Sequence, residues 1–173
     1  MSRSLRVLLV FAFLVSSAFA AERGSLIRQA NIYLSPDPKS TKLGEVERGR
    51  ELIFLDSTPG WVHVMAMLGE EKTVTGWMLD KGIIRATSQD GDRILFGEGT
   101  DSEDQASRRR GRRGAADDAA RLYYRVYDLY PVSPYAGEAL YRAADIRWQI
   151  EKIDVMSRPS AREKESYLRQ GMN

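Results

Sequence analysis

Three sets of side chains in this sequence have the chemistry to act on or hold another molecule: a lone histidine among tryptophans, a run of arginines, and a series of tyrosines. His63 is the only histidine of the 173 residues and there is no cysteine, which removes thiolate catalysis, disulfides and cysteine-bound zinc together. His63 stands between Val62 and Val64 in a strand-like run, a place for a structural or groove-lining imidazole rather than a general base. Neither a phosphate-cradling glycine loop nor a nucleophile elbow accompanies it. Carboxylates are plentiful, but none has the apolar setting that would raise its pKa for paired-carboxylate hydrolysis. Asp90-Gly91-Asp92 begins like a calcium loop and lacks the further acidic ligands and the closing glutamate. The expectation is a non-enzymatic chain with no cofactor and no metal.

Arg108, Arg109, Arg110, Arg112 and Arg113 gather five guanidiniums around Gly111. Such a group can bind phosphate-rich partners through bidentate hydrogen bonds and counterion release. Asp101, Glu103 and Asp104 precede the run and Asp117 and Asp118 follow it, so the simpler reading is a solvated stretch neutralised locally. Tyr33, Trp61, His63 and Trp77 are the candidate ligand groove, because tyrosine and tryptophan suit sites where an apolar body meets a wet edge. The simpler reading of Trp61 and Trp77 is structural, as residues packed over the end of a barrel. Tyr123, Tyr127, Tyr130 and Tyr135 are the candidate partner-binding face of a helical segment.

The elements that must position these groups can be read in order. Residues 1–20 have the form of a secretory signal: Arg3 and Arg6 precede the apolar run Val7 to Val15, and Ala18-Phe19-Ala20 offers the small residues of a cleavage site. The run is short for a bilayer span, so no stable membrane span is expected after cleavage. Two of the 26 basic residues leave with that segment, so 24 basic residues face 24 acidic ones. A near-neutral exported chain points away from nucleic acid and towards a periplasmic or cell-envelope location.

From Gly24 to Ala86, short apolar runs alternate with turn residues. Leu26-Ile27, Asn31 to Leu34, Glu51 to Leu55, Trp61 to Val64 and Trp77 to Leu79 are separated by Ser35-Pro36-Asp37-Pro38, Arg48-Gly49 and Ser57-Thr58-Pro59-Gly60. Five short strands favour a closed barrel over a sheet with unpaired edges. Along the fourth run Val62, Val64 and Ala66 alternate with Trp61, His63 and Met65, which makes the first set the core face and leaves the second accessible. Leu68 to Thr73 reads as a hairpin tip. Residues 87–114 lose most apolar content and read as a flexible charged linker, with Ile94-Leu95-Phe96 either docking back or forming a short helix or strand. In residues 115–170, Ala115, Ala119, Leu122, Val126 and Leu129 form one helical stripe and Tyr135, Ala139, Ala143, Ile146 and Ile150 a second. Pro131 and Ser133-Pro134 divide them, predicting an antiparallel hairpin. Ser160 with Glu163 makes a capping box for a third short helix.

The order Asn31-Ile32-Tyr33-Leu34-Ser35-Pro36, Leu43-Gly44-Glu45-Val46-Glu47-Arg48-Gly49, Gly60-Trp61 and Gly76-Trp77 resembles the bacterial SH3 domain family, with Tyr33 where that family usually has arginine. The resemblance implies a small SH3-like β-barrel that recognises peptidoglycan or a peptide. Leu129 to Ala136 and Glu138 to Ala144 are similar to tetratricopeptide-type repeats of bacterial envelope proteins and cover about one repeat, where such folds usually stack about three or more. That similarity implies a helical unit that docks a protein partner. The fold class expected is therefore β plus α: an SH3-like barrel, a linker and a tetratricopeptide-like hairpin. The competing expectation is a structural scaffold whose barrel has no ligand and whose helices carry all binding.

Overall fold

The computed structural model describes residues 21–69 and 71–157. The expected signal segment and third short helix lie outside these residues. Seven strands come first: β1 (Arg23–Leu26), β2 (Ala30–Tyr33), β3 (Lys42–Val46), β4 (Glu51–Thr58), β5 (Trp61–Leu68), β6 (Lys72–Leu79) and β7 (Ile83–Arg85). Three helices follow: α1 (Gly91–Ser107), α2 (Ala115–Leu129) and α3 (Ala136–Ser157). All the strands belong to one antiparallel sheet in the order β3-β2-β6-β5-β4-β1-β7.

Two of these strands, β3 and β7, go beyond the five expected, and the sheet is not closed. Its ends are protected by other means. At one end β3 carries Lys42 and Glu45, with a register shift between Ile32 and Tyr33 on its neighbour, features that discourage further pairing. At the other, β7 has only three residues, and the Tyr130 hydroxyl donates to the carbonyl of its last, Arg85. Curling still gives the sheet a core of its own, built from Leu26, Ile32, Val46, Leu52, Val62, Val64, Ala66 and Met78. The alternation expected along β5 holds, with Val62, Val64 and Ala66 buried and Trp61, His63 and Met65 half-buried on the outer face. Gly76 permits that core to close, since a Cβ there would meet the Tyr33 carbonyl oxygen at 2.5 Å. The β5–β6 hairpin turns at Gly69, whose φ of +66° suits glycine and which has open space around it.

The flexible linker expected over 87–114 is corrected for most of its length, because residues 91–107 are α1. Its buried residues are Gly91, Leu95, Gly99 and Ser102, a helical stripe made mainly of small side chains. At Gly99 a Cβ would meet the Tyr123 ring at 2.8 Å, so the helix takes glycine, normally poor there, to let α2 approach. α2 lies between α1 and α3. Thr100 and Glu103 of α1 both reach the Tyr123 hydroxyl, at 3.1 and 2.7 Å, and Arg142 of α3 reaches it from the other side at 3.2 Å. A second core joins the helices to the sheet through Ile84, with Leu95, Leu122, Tyr123, Val126, Ala139, Ala143 and Ile146.

Arginines tie the sheet to the helices. The Arg48-Gly49 turn between β3 and β4 lies against α2, where Arg121 donates to the Arg48 carbonyl (2.9 Å) and Arg125 to that of Gly49 (3.2 Å). Arg23 of β1 bridges Glu51 and Asp128, and Arg48 pairs with Glu98 of α1. The Asp128 hydrogen bond, then that of Glu51, holds the Arg23 guanidinium above its ordinary pKa, so the bridge is charged.

Candidate functional site

β-pairing builds a cross-strand row on the outer face of the sheet. Asp56 of β4 is opposite His63 of β5, His63 is opposite Trp77 of β6, and Trp77 is opposite Tyr33 of β2. Because side chains alternate along each strand, this register places His63, Trp77 and Tyr33 on one surface, and Trp61 joins them two residues from His63. The His63 and Trp77 rings stack with centroids 4.8 Å apart and planes 16° from parallel. Tyr33 meets Trp61 edge to face at 5.8 Å and 81°. All four are half-buried, each ring held by a neighbour with part of its surface open. The sequence-derived groove residues are thus brought together.

Further residues extend the surface. Leu79, opposite Trp61, is 51% exposed. Next to it an open cleft of about 510 Å³ is lined by Tyr33 and Leu79 together with Arg28, Gln29, Asn31 and Lys81. Asn31 Nδ2 donates to the Tyr33 hydroxyl at 3.2 Å and steers the ring. The ensemble offers aromatic faces for sugar rings or apolar side chains, amides for hydrogen bonds, and two cations for a carboxylate. Leu79 could have been found in sequence by extending the alternation from Trp77. Arg28 and Lys81 could not, because they come from loops that meet only in three dimensions. Among the described residues, no cluster of histidine, aspartate and glutamate could hold a metal ion.

The tyrosines expected to face a partner mostly do not. Tyr123 is fully buried at the meeting of the three helices, and burial pushes its hydroxyl pKa up. Tyr130 is half-buried and bonded to the Arg85 carbonyl, while Tyr135 packs 5.1 Å from the Phe96 ring. Only Tyr127 of the four is exposed, at 41%, and Tyr124 lies beside it. Expecting one covered side of α2 assigned this stripe to a partner; the actual cover is α1.

The arginine run lies between α1 and α2. Arg112 pairs with Asp118 at 2.5 Å and donates to Gln105. Arg108, Arg109, Arg110 and Arg113 are exposed and make no ion pair among the described residues. Among the described residues, local neutralisation therefore involves Arg112 alone. No protein-family model, curated protein or solved structure matches the chain.

Proposed function

We propose that this chain is a non-enzymatic, exported cell-envelope protein whose sheet holds an extended ligand, a peptidoglycan strand or a peptide, on its aromatic face while its helices dock a protein. The observation carrying this reading is that Tyr33, Trp61, His63 and Trp77 share one partly open face beside an open cleft that mixes apolar surface with amides and two cations. Trp61 and Tyr33 contact the ligand, His63 and Trp77 form the stacked floor, and Arg28 or Lys81 meets a carboxylate. Binding through a few aromatic contacts is weak, and tethering through the helices raises its effective strength. The SH3-like character of the sheet and the tetratricopeptide-like character of the helices belong to the same proposal. No described helix is long and apolar enough to cross a membrane.

The scaffold reading, in which the sheet has no ligand, is favoured by the outward side chains of α3, Tyr141 at 72% and Trp148 at 65% exposed. The two readings separate in a pull-down of residues 21–173 on insoluble peptidoglycan at low and high salt. The aromatic site predicts retention that survives salt and falls about tenfold in Trp61→Ala, whose fold is checked by circular dichroism. Retention lost in salt would credit Arg108 to Arg113 instead. No retention by a folded chain would leave the scaffold.

A further inference from the structure

An open groove of about 420 Å³ runs between α2 and α3, away from the aromatic face. Its floor is Ala120, Ala143 and Ala144, small residues that let another backbone come close. Tyr124 and Leu140 flank it, and Arg50, Arg121, Arg125 and Arg147 complete the lining, which contains no carboxylate. The charges are arranged behind it. Arg121 uses Nε on the Arg48 carbonyl and Nη2 on Asp118; Arg125 uses Nε on the Gly49 carbonyl and Nη1 on Asp128; Arg50 uses Nε and Nη2 on Glu47. Arg121 Nη1 also lies 3.5 Å from Glu47, and Arg125 Nη1 the same distance from Glu51. These contacts fix each guanidinium and leave hydrogen-bond donors unspent on Nη1 of Arg50 and Nη2 of Arg125. No buried side-chain nitrogen or oxygen among the described residues lacks a partner, so these donors are not sealed from solvent, although the side chains that carry them are mostly buried. Arg147 is exposed and makes no ion pair among the described residues.

The apolar surface continues out of the groove along α3. Leu140, Ala144 and Trp148 recur every four residues, with Tyr141 beside them, on the flank of the face that packs on α2. A second apolar stripe on a helix whose first is already buried is a surface built for another element.

We propose that this groove receives an amphipathic helix of a partner protein, whose apolar stripe lies on Leu140, Ala144 and Tyr124 and whose flanking carboxylates meet the arginines. The helical form follows from a floor of small residues between two helices, and the acidic flanks from a lining of four arginines and no carboxylate, in which Arg147 makes no ion pair among the described residues while the other three also meet carboxylates behind the groove. This rests on the proposed docking role of the helices and names the partner's chemistry.

The test uses residues 21–173 and two labelled synthetic peptides of about 15 residues with one leucine stripe, flanked by glutamates in one and lysines in the other. Fluorescence anisotropy should show the acidic peptide binding about tenfold more tightly, with the advantage shrinking as salt rises. Arg147→Glu, at an exposed position, should abolish that preference while leaving the unfolding midpoint unchanged. Tyr124→Ala should weaken both peptides. Equal binding of the two peptides, or a preference untouched by Arg147→Glu, would overturn the acidic partner and leave helical docking standing. Failure of both peptides to bind would overturn the docking role itself, as would self-association of the chain through this groove.

Discussion

Asp92 is a residue whose chemistry can be followed from one hydrogen bond to a pH dependence. The Ser133 hydroxyl donates to its carboxylate at 2.5 Å, joining the first turn of α1 to the loop before α3. That bond, more than the neighbouring Arg93 charge, holds the carboxyl below its ordinary value of 3.8. A depressed folded-state pKa adds stability that is present above 3.8 and disappears as the pH falls through the folded value. Ser133→Ala should therefore lower the unfolding midpoint at neutral pH, and the gap from the parent should narrow under acid to the part owed to the lost Tyr135 N–H bond to the Ser133 hydroxyl. A gap that stays constant down to strong acid would remove Asp92 from the account. Residue by residue, the sequence was most legible where one side chain decides a face. Val62 and Val64 against Trp61 and His63 could be sorted by alternation alone. Tyr123 could not, because periodicity shows that a stripe exists and not which neighbour covers it.

At the scale of elements, the contact between a turn and a helix is the least forgiving. Gly49 has a φ of +71°, and a Cβ there would come within 2.6 Å of Arg121 Cβ and 2.9 Å of the Leu122 nitrogen. Both atoms belong to the regular part of α2 and cannot swing away. Gly49→Ala should cost about 2 to 4 kcal/mol in denaturant unfolding, combining backbone strain with the displaced helix. Gly60→Ala offers the comparison: its φ of +79° carries strain, yet nothing lies within 4 Å of its Cβ position. Equal losses at the two positions would show that strain alone accounts for Gly49. Among the elements, α2 and α3 were legible because their stripes are aliphatic. α1 was hidden because its buried positions, Gly91, Gly99 and Ser102, belong to residue types that normally signal loops. The additional strands β3 and β7 escaped for a related reason, since β3 contains Lys42, Gly44 and Glu45 and β7 has only three residues.

Across the whole molecule, division at residue 86 into barrel and linker does not describe how the parts are attached. Arg23 and Asp128 are 105 positions apart in sequence and 2.7 Å apart in space. Ile84 of β7 belongs to the helical core, and Arg48 connects a strand turn to both α1 and α2. Sheet and helices should therefore unfold together. Trp148→Phe leaves Trp61 and Trp77 as the tryptophan reporters, both in the sheet. Their fluorescence and the helical circular dichroism should give one coincident transition with denaturant. Helices melting clearly before the sheet would reduce the arginine contacts to surface decoration. The open sheet, expected as a closed barrel, follows the same logic: β7 ends against the helices instead of returning to β3.

The β5–β6 hairpin carries a practical consequence. Trp61 stands at one end of β5 and Leu68 at the other, so the Gly69 tip is about 25 Å along the strand from that edge of the aromatic face. Gly69 borders open space. A small dye attached there, or a short epitope spliced in, would report ligand capture from a distance without competing for the surface it monitors.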